Sequence, residues 1–140
     1  MLQDSYPDVT KCFRIGVAKM SFSEIRVLIC DDSILVRKKM TDLITKLGCK
    51  EIYTAVDGEQ AVEQYKAYLP DITFMDIVMP KKTGVEALKE IKNINPKAKV
   101  VMASSVGTQA NLKEAIEAGV YDFLQKPITD SDIEKILSRL

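Results

Sequence analysis

Asp76 closes the apolar stretch Ile72-Thr73-Phe74-Met75 and is followed by Ile77-Val78-Met79-Pro80. A carboxylate where a buried strand meets a loop is costly to maintain unless its charge is used. Upstream, Ile25-Arg26-Val27-Leu28-Ile29-Cys30 ends in Asp31-Asp32; downstream, Val100-Val101-Met102-Ala103 ends in Ser104-Ser105, and Phe123-Leu124-Gln125 ends in Lys126-Pro127. Three neighbouring carboxylates repel one another and do not all ionise without a cation among them. Asp31, Asp32 and Asp76 offer only oxygen, which suits magnesium, with manganese as a substitute. Taken alone, Asp31-Asp32 serves equally well as charge at the start of a helix beginning near Ser33. Asp76 at a second strand end makes a shared cation site the better reading. A carboxylate is also a nucleophile and can form an acyl phosphate. That chemistry needs charge neutralisation on the phosphoryl oxygens. Lys126 brings a second positive charge and Ser104 a hydroxyl donor.

These groups meet only if the strands that carry them are parallel and in one sheet. Short apolar runs near 25–30, 50–55, 71–75, 98–103 and 120–125 alternate with helical patterns near 33–47, 58–69, 84–94, 108–118 and 130–140. Val36, Met40, Leu43, Ile44 and Leu47 recur at helical spacing on one face, as do Val85, Leu88 and Ile91, and Ile133, Ile136, Leu137 and Leu140. Gly48 is placed to stop the first helix, Thr83 to cap the third, and Pro96 to end it. Strand–helix alternation with right-handed crossovers predicts an α/β fold, a doubly wound five-stranded parallel sheet between two layers of helices. Ligand sites in such sheets lie outside the carboxyl ends of the strands. That edge is where the acids, hydroxyls and lysine collect.

Composition narrows the function from the other side. The 140 residues hold 20 Lys+Arg against 20 Asp+Glu, which gives no basic surface for nucleic acid or anionic lipid. No apolar run reaches the length of a membrane span, and no signal-peptide pattern opens the chain. The three cysteines, Cys12, Cys30 and Cys49, are odd in number and lack a CxxC pair, so a disulfide framework or zinc site is unsupported and the cytoplasm is the expected compartment. With no histidine, histidine triads and histidine metal clusters are excluded. No G-x-G-x-x-G or G-x-x-x-x-G-K-[ST] occurs, which disfavours a nucleotide- or flavin-binding enzyme of similar topology.

Asp31-Asp32, Asp76-Ile77-Val78-Met79-Pro80, Ser104-Ser105 and Lys126-Pro127 together resemble the signature of the CheY-like receiver domain of bacterial two-component response regulators. The resemblance covers about residues 25–140 and implies a phosphorylation-controlled switch rather than an enzyme. It makes Asp76 the phospho-acceptor. Asp32 and Asp76 become metal ligands, with Asp31 direct or through water, and Val78 gives only its backbone carbonyl. Ser104 becomes the hydroxyl that holds the phosphoryl group and Lys126 its partner, at a cis lysine–proline junction. Phe123 becomes the aromatic residue that swings inward with Ser104 on activation, where many relatives carry tyrosine.

Further expectations accompany the resemblance. Val78 and Val106 stand where side chains commonly modulate the lifetime of the acyl phosphate, and neither can orient water, so self-dephosphorylation is expected to be slow. An aspartyl-phosphate phosphatase of the haloacid-dehalogenase type would carry a second aspartate at the Val78 position. Ile34, Arg37, Lys38 and Thr41 form a stripe beside the acidic site, read as a docking surface for a histidine kinase or phosphotransferase; the plainer reading is a partly covered helix start. A stand-alone receiver is expected to act on a downstream protein through helix four, strand five and helix five, with Gln109, Asn111, Lys113, Glu117 and Asp122 facing solvent. Residues 1–24 fit the alternation poorly and are read as a loosely packed extension, of which Met20 could be a natural start. The rival from another class is a receiver-shaped docking module that signals without phosphorylation.

Overall fold

A computed structural model describes residues 22–105 and 109–140. Five strands, β1 (Arg26–Cys30), β2 (Glu51–Ala55), β3 (Ile72–Asp76), β4 (Val100–Ser104) and β5 (Asp122–Gln125), alternate with α1 (Ile34–Lys46), α2 (Gly58–Tyr68), α3 (Gly84–Ile94), α4 (Gln109–Glu117) and α5 (Asp130–Leu137). All four strand pairs are parallel, in the order β2-β1-β3-β4-β5. This is the flavodoxin-like order, and its switch point falls between β1 and β3. The predicted fold class holds.

The sequence explains the layering. β1, β3 and β4 are covered on both faces and read as continuous apolar runs, whereas the edge strands β2 and β5 admit Glu51, Thr54 and Gln125 to solvent. Alternation then sorts the core. Val27, Ile29, Ile72, Phe74 and Val101 pack with α1 and α5 through Met40, Ile44, Ile133 and Ile136. Leu28, Cys30, Met75 and Met102 pack with α2 and α3 and with Ala115 of α4. Each fully buried aliphatic side chain such as Ile44 contributes roughly 1.5–3 kcal/mol.

Helix ends hold the register. Gly48, at φ 112°, closes α1 in a Schellman motif, with Cys49 N–H donating to Ile44 O and Gly48 N–H to Thr45 O. Thr83 and Glu86 form a reciprocal capping box at α3. The structure adjusts other boundaries. β3 includes Asp76, and α5 ends at Leu137, after which Arg139 and Leu140 N–H donate three residues back, to Ile136 O and Leu137 O. Phe22–Glu24, assigned from sequence to the extension, form a 3-10 turn whose Phe22 packs against the core. The expectation for residues 1–21 lies outside the described residues. Among the described residues no helix is long and apolar enough to cross a membrane.

Candidate functional site

The β1 end supplies Asp31 and Asp32, and the β3 end supplies Asp76. One carboxylate oxygen from each lies within 4.8 Å of those of the other two. Asp31 is 2% exposed and Asp76 9%, while Asp32 faces solvent. From β5, the Lys126 ammonium sits 2.8 Å from Asp31 Oδ2 and 3.4 Å from Asp76 Oδ2. The Lys126–Pro127 peptide is cis, as the resemblance implied. Ser104 stands one residue beyond Ala103, which pairs with Asp76 across β3 and β4, and its carbonyl accepts from Lys126 N–H at 2.8 Å. The residues singled out at four strand ends thus meet at one edge.

The two buried acids are used differently. Asp31 accepts Ser33 N–H at 2.9 Å on one oxygen and the Lys126 ammonium at 2.8 Å on the other. Among the described residues Asp76 has long contacts, Val78 N–H at 3.4 Å and Lys126 at 3.4 Å. Burial and then the negative charge of Asp31 raise the Asp76 carboxyl above its usual range, against the opposing pull of Lys126 and the Val78 N–H. Burial also works against the Lys126 ammonium, but its bond to Asp31 and the charges of Asp76 and Asp31 outweigh it, and its pKa is raised. Burial, and secondarily Asp31, holds the Cys30 thiol far above its ordinary value, which leaves no thiolate beside the acids.

Charge balance tests the fit of a metal. Three carboxylates against one ammonium leave two negative charges over when all are ionised. A divalent, oxygen-preferring cation supplies that complement, and the donor set fits magnesium. Val78, two residues beyond Asp76, is 62% exposed.

Other expected residues fare unevenly. Phe123 is half-buried against the α2–α3–α4 side of the core. Ile34 (71% exposed) and Lys38 face solvent, and Leu35, left out of the stripe, is 79% exposed. Arg37 and Thr41 are half-buried, and Arg37 Nη1 donates to Asp31 O at 2.7 Å, so the stripe is not uniformly open. Asp122, expected in solvent, is half-buried, and Arg139 bonds it at 2.6 Å and lowers its pKa. Val106 and the side chains of Gln109 and Asn111 lie outside the described residues. Sequence reasoning missed the clasp of Arg37 on Asp31 and the packing around Gly58 and Gly84. The Asp57-Gly58 dipeptide was a visible turn and cap signal, but its through-space partner has no local signature.

Fold and acidic edge define a flavodoxin-like module with three clustered carboxylates and a lysine at its switch point. The model of the response regulator receiver domain family matches residues 27–138, and the chain belongs to that family. CheY of Thermotoga maritima is 44% identical over 115 residues, covering 82% of this chain and 96% of that protein. CheY of Bacillus subtilis is 44% identical over 102 residues, covering 73% and 85%. The crystal structure of the CheX-CheY-BeF3-Mg2+ complex from Borrelia burgdorferi contains a similar chain, with TM-score 0.74, 35% identity and coverage of 79% and 84%. The response regulator domain of Thermotoga maritima CheB matches at TM-score 0.74 and 34% identity, over 82% and 94%. Receiver domains are signalling switches that bind Mg2+ at a cluster of aspartates, and Asp31, Asp32 and Asp76 form such a cluster here.

Proposed function

We propose that Asp76 accepts a phosphoryl group from a sensor histidine kinase or histidine phosphotransferase in a magnesium-dependent reaction, and that this switches a protein-binding face. The observation that carries the reading is the contrast between the two buried acids. Among the described residues Asp31 has both oxygens committed at short range, while Asp76 has contacts of 3.4 Å. In the transfer, an Asp76 oxygen forms the new P–O bond while the phosphorus–nitrogen bond of a phosphohistidine breaks, and its electron pair stays on the imidazole. Asp31, Asp32, Asp76 and the Val78 carbonyl would hold magnesium or manganese, which supplies neutralisation of phosphoryl charge. Lys126 gives a second positive charge and Ser104 a hydroxyl donor. The Borrelia CheY, solved in a complex with BeF3 and Mg2+, supports a metal at such a site.

Phosphorylation then biases a two-state equilibrium in which Ser104 and Phe123 move together. The receiver body extends over 25–140 and acts in the cytoplasm. The output surface comprises α4, β5 and α5 and takes a downstream protein; the Borrelia CheY is itself found in a complex with a second protein, CheX. The input surface centres on Ile34, Arg37, Lys38 and Thr41. A cleft of about 340 Å³ beside them, lined by Val36, Lys39, Met40, Lys126, Pro127 and Ile128, adds apolar area close to Lys126. Incubation with magnesium and acetyl phosphate, followed by intact mass, tests the reading. One phosphate is expected on the unsubstituted protein and none on Asp76→Asn. No gain with any donor or kinase favours the phosphorylation-independent docking module.

A further inference from the structure

The loop from Ile77 to Thr83 carries Val78 away from Asp76, and two glycines of different helices press against it. At its far end, Gly84 N–H donates to Ile77 O at 2.9 Å, and a Cβ at Gly84 would lie 2.9 Å from Ile77 Cα and inside the contact distance of Asp76 O. That glycine belongs to the helix the loop feeds. Gly58 does not: it is the first residue of α2, and 24 residues separate it from Lys82. A Cβ at Gly58 would lie 2.6 Å from Lys82 C and closer still to Lys82 O. The obstacle is backbone, so no rotamer change relieves it.

Lys82 has little room to retreat. Its N–H donates to Pro80 O at 2.8 Å, and its ammonium is bonded to Glu90 of α3. Lys81 beside it takes a left-handed conformation at φ 68°, with its ammonium 3.8 Å from Asp57 Oδ2. Asp57 is itself buried and caps α2, accepting Gln60 N–H at 2.8 Å on its other oxygen. The α2 N-terminus therefore meets the loop by backbone contact at Lys82 and by charge at Lys81. Gly58 is not at a positive φ, so its backbone conformation does not by itself call for glycine. The contact with Lys82 does.

We infer that Gly58, with Asp57 beside it, is a positioning residue: the α2 N-terminus is the backstop that sets the loop carrying Val78 relative to Asp76, and hence the metal and phosphoryl site. The inference rests on the reading of Asp76 as acceptor. A methyl group at Gly58 pushes Lys82 and misplaces the loop, and a displacement near 1 Å at a reacting centre costs up to about a hundredfold in rate.

The test compares Gly58→Ala with Lys66→Ala, an exposed α2 substitution away from the helix N-terminus. Amide spectra of the metal-free proteins should show Ile77–Thr83 displaced in Gly58→Ala and unmoved in Lys66→Ala. Titration with MgCl2 should show affinity weakened severalfold in Gly58→Ala alone, and labelling by acetyl phosphate should slow about tenfold or more. Unchanged loop amides and magnesium affinity in a folded Gly58→Ala overturn the inference. If that variant does not fold, the unsubstituted protein decides. MgCl2 should then shift the Asp57 and Gly58 amides together with the loop, and their silence overturns the inference. Failure of the acceptor reading looks different: the unsubstituted protein takes no phosphate, yet Gly58→Ala still displaces the loop amides.

Discussion

Asp76 is poised by what its neighbours withhold. Burial and Asp31 raise its carboxyl, so the native state binds that proton more tightly than the unfolded chain does. The ionised group therefore lowers native stability. The loss is absent below the ordinary carboxylate pKa of about 3.9, grows as pH rises toward the raised native value, and is complete above it. In metal-free buffer at pH 7, Asp76→Asn should raise Tm, by about 4 °C for each kcal/mol relieved. Melting curves across pH should show the difference shrinking below about pH 4, and added magnesium should narrow it at pH 7. A Tm difference unchanged across that range would contradict the electrostatic account. The exposed apolar side chain of Val78 stands two residues beyond Asp76 and offers no group to orient water. The phosphorylated protein should lose label slowly, and Val78→Asn should hasten the loss about tenfold by fixing an attacking water. Equal decay of the two proteins would remove Val78 from the account.

At the scale of elements, most of the architecture was legible because burial writes itself into strands and caps into helix ends. The continuous apolar run of β3 marks a central strand, and Thr83 and Gly48 act where their chemistry placed them. What was not legible is contact between segments distant in the chain. The stripe on α1 was drawn from periodicity, which cannot see that Arg37 reaches back to Asp31 O or that Leu35 stands further into solvent than Ile34. Asp122 reads as an exposed polar residue of an edge strand until Arg139 is found across from it. Gly58 and Lys82 carry no mutual signal at all. The exposed part of α1 still gives a test of input. Ile34→Asp with Lys38→Glu should slow phosphotransfer from a phosphorylated histidine phosphotransferase at least about tenfold, since interface substitutions commonly cost more than 1 kcal/mol at central positions. Labelling by acetyl phosphate, which needs no docking, should stay unchanged. Equal rates from the protein donor would place docking elsewhere.

Across the whole molecule, one topological fact organises the rest. In the order β2-β1-β3-β4-β5, β1 and β3 are neighbours, so residues 31, 32 and 76 converge although 44 residues separate Asp32 from Asp76. Lys126 arrives from the far edge of the sheet and bridges both buried acids. Each helix layer contributes to the same edge: α1 through Arg37 on one face, α2 and α3 through Gly58 and Gly84 on the other. The proposed function requires that Asp76 become a mixed anhydride of phosphate. Borohydride reduces such an acyl phosphate to the alcohol and leaves a free carboxylate untouched. Protein labelled with acetyl phosphate and magnesium, then reduced, digested and mapped by mass, should show homoserine at position 76 and intact aspartate at 31 and 32. Aspartate intact at 76, or homoserine at 31 or 32 in its place, would contradict the account.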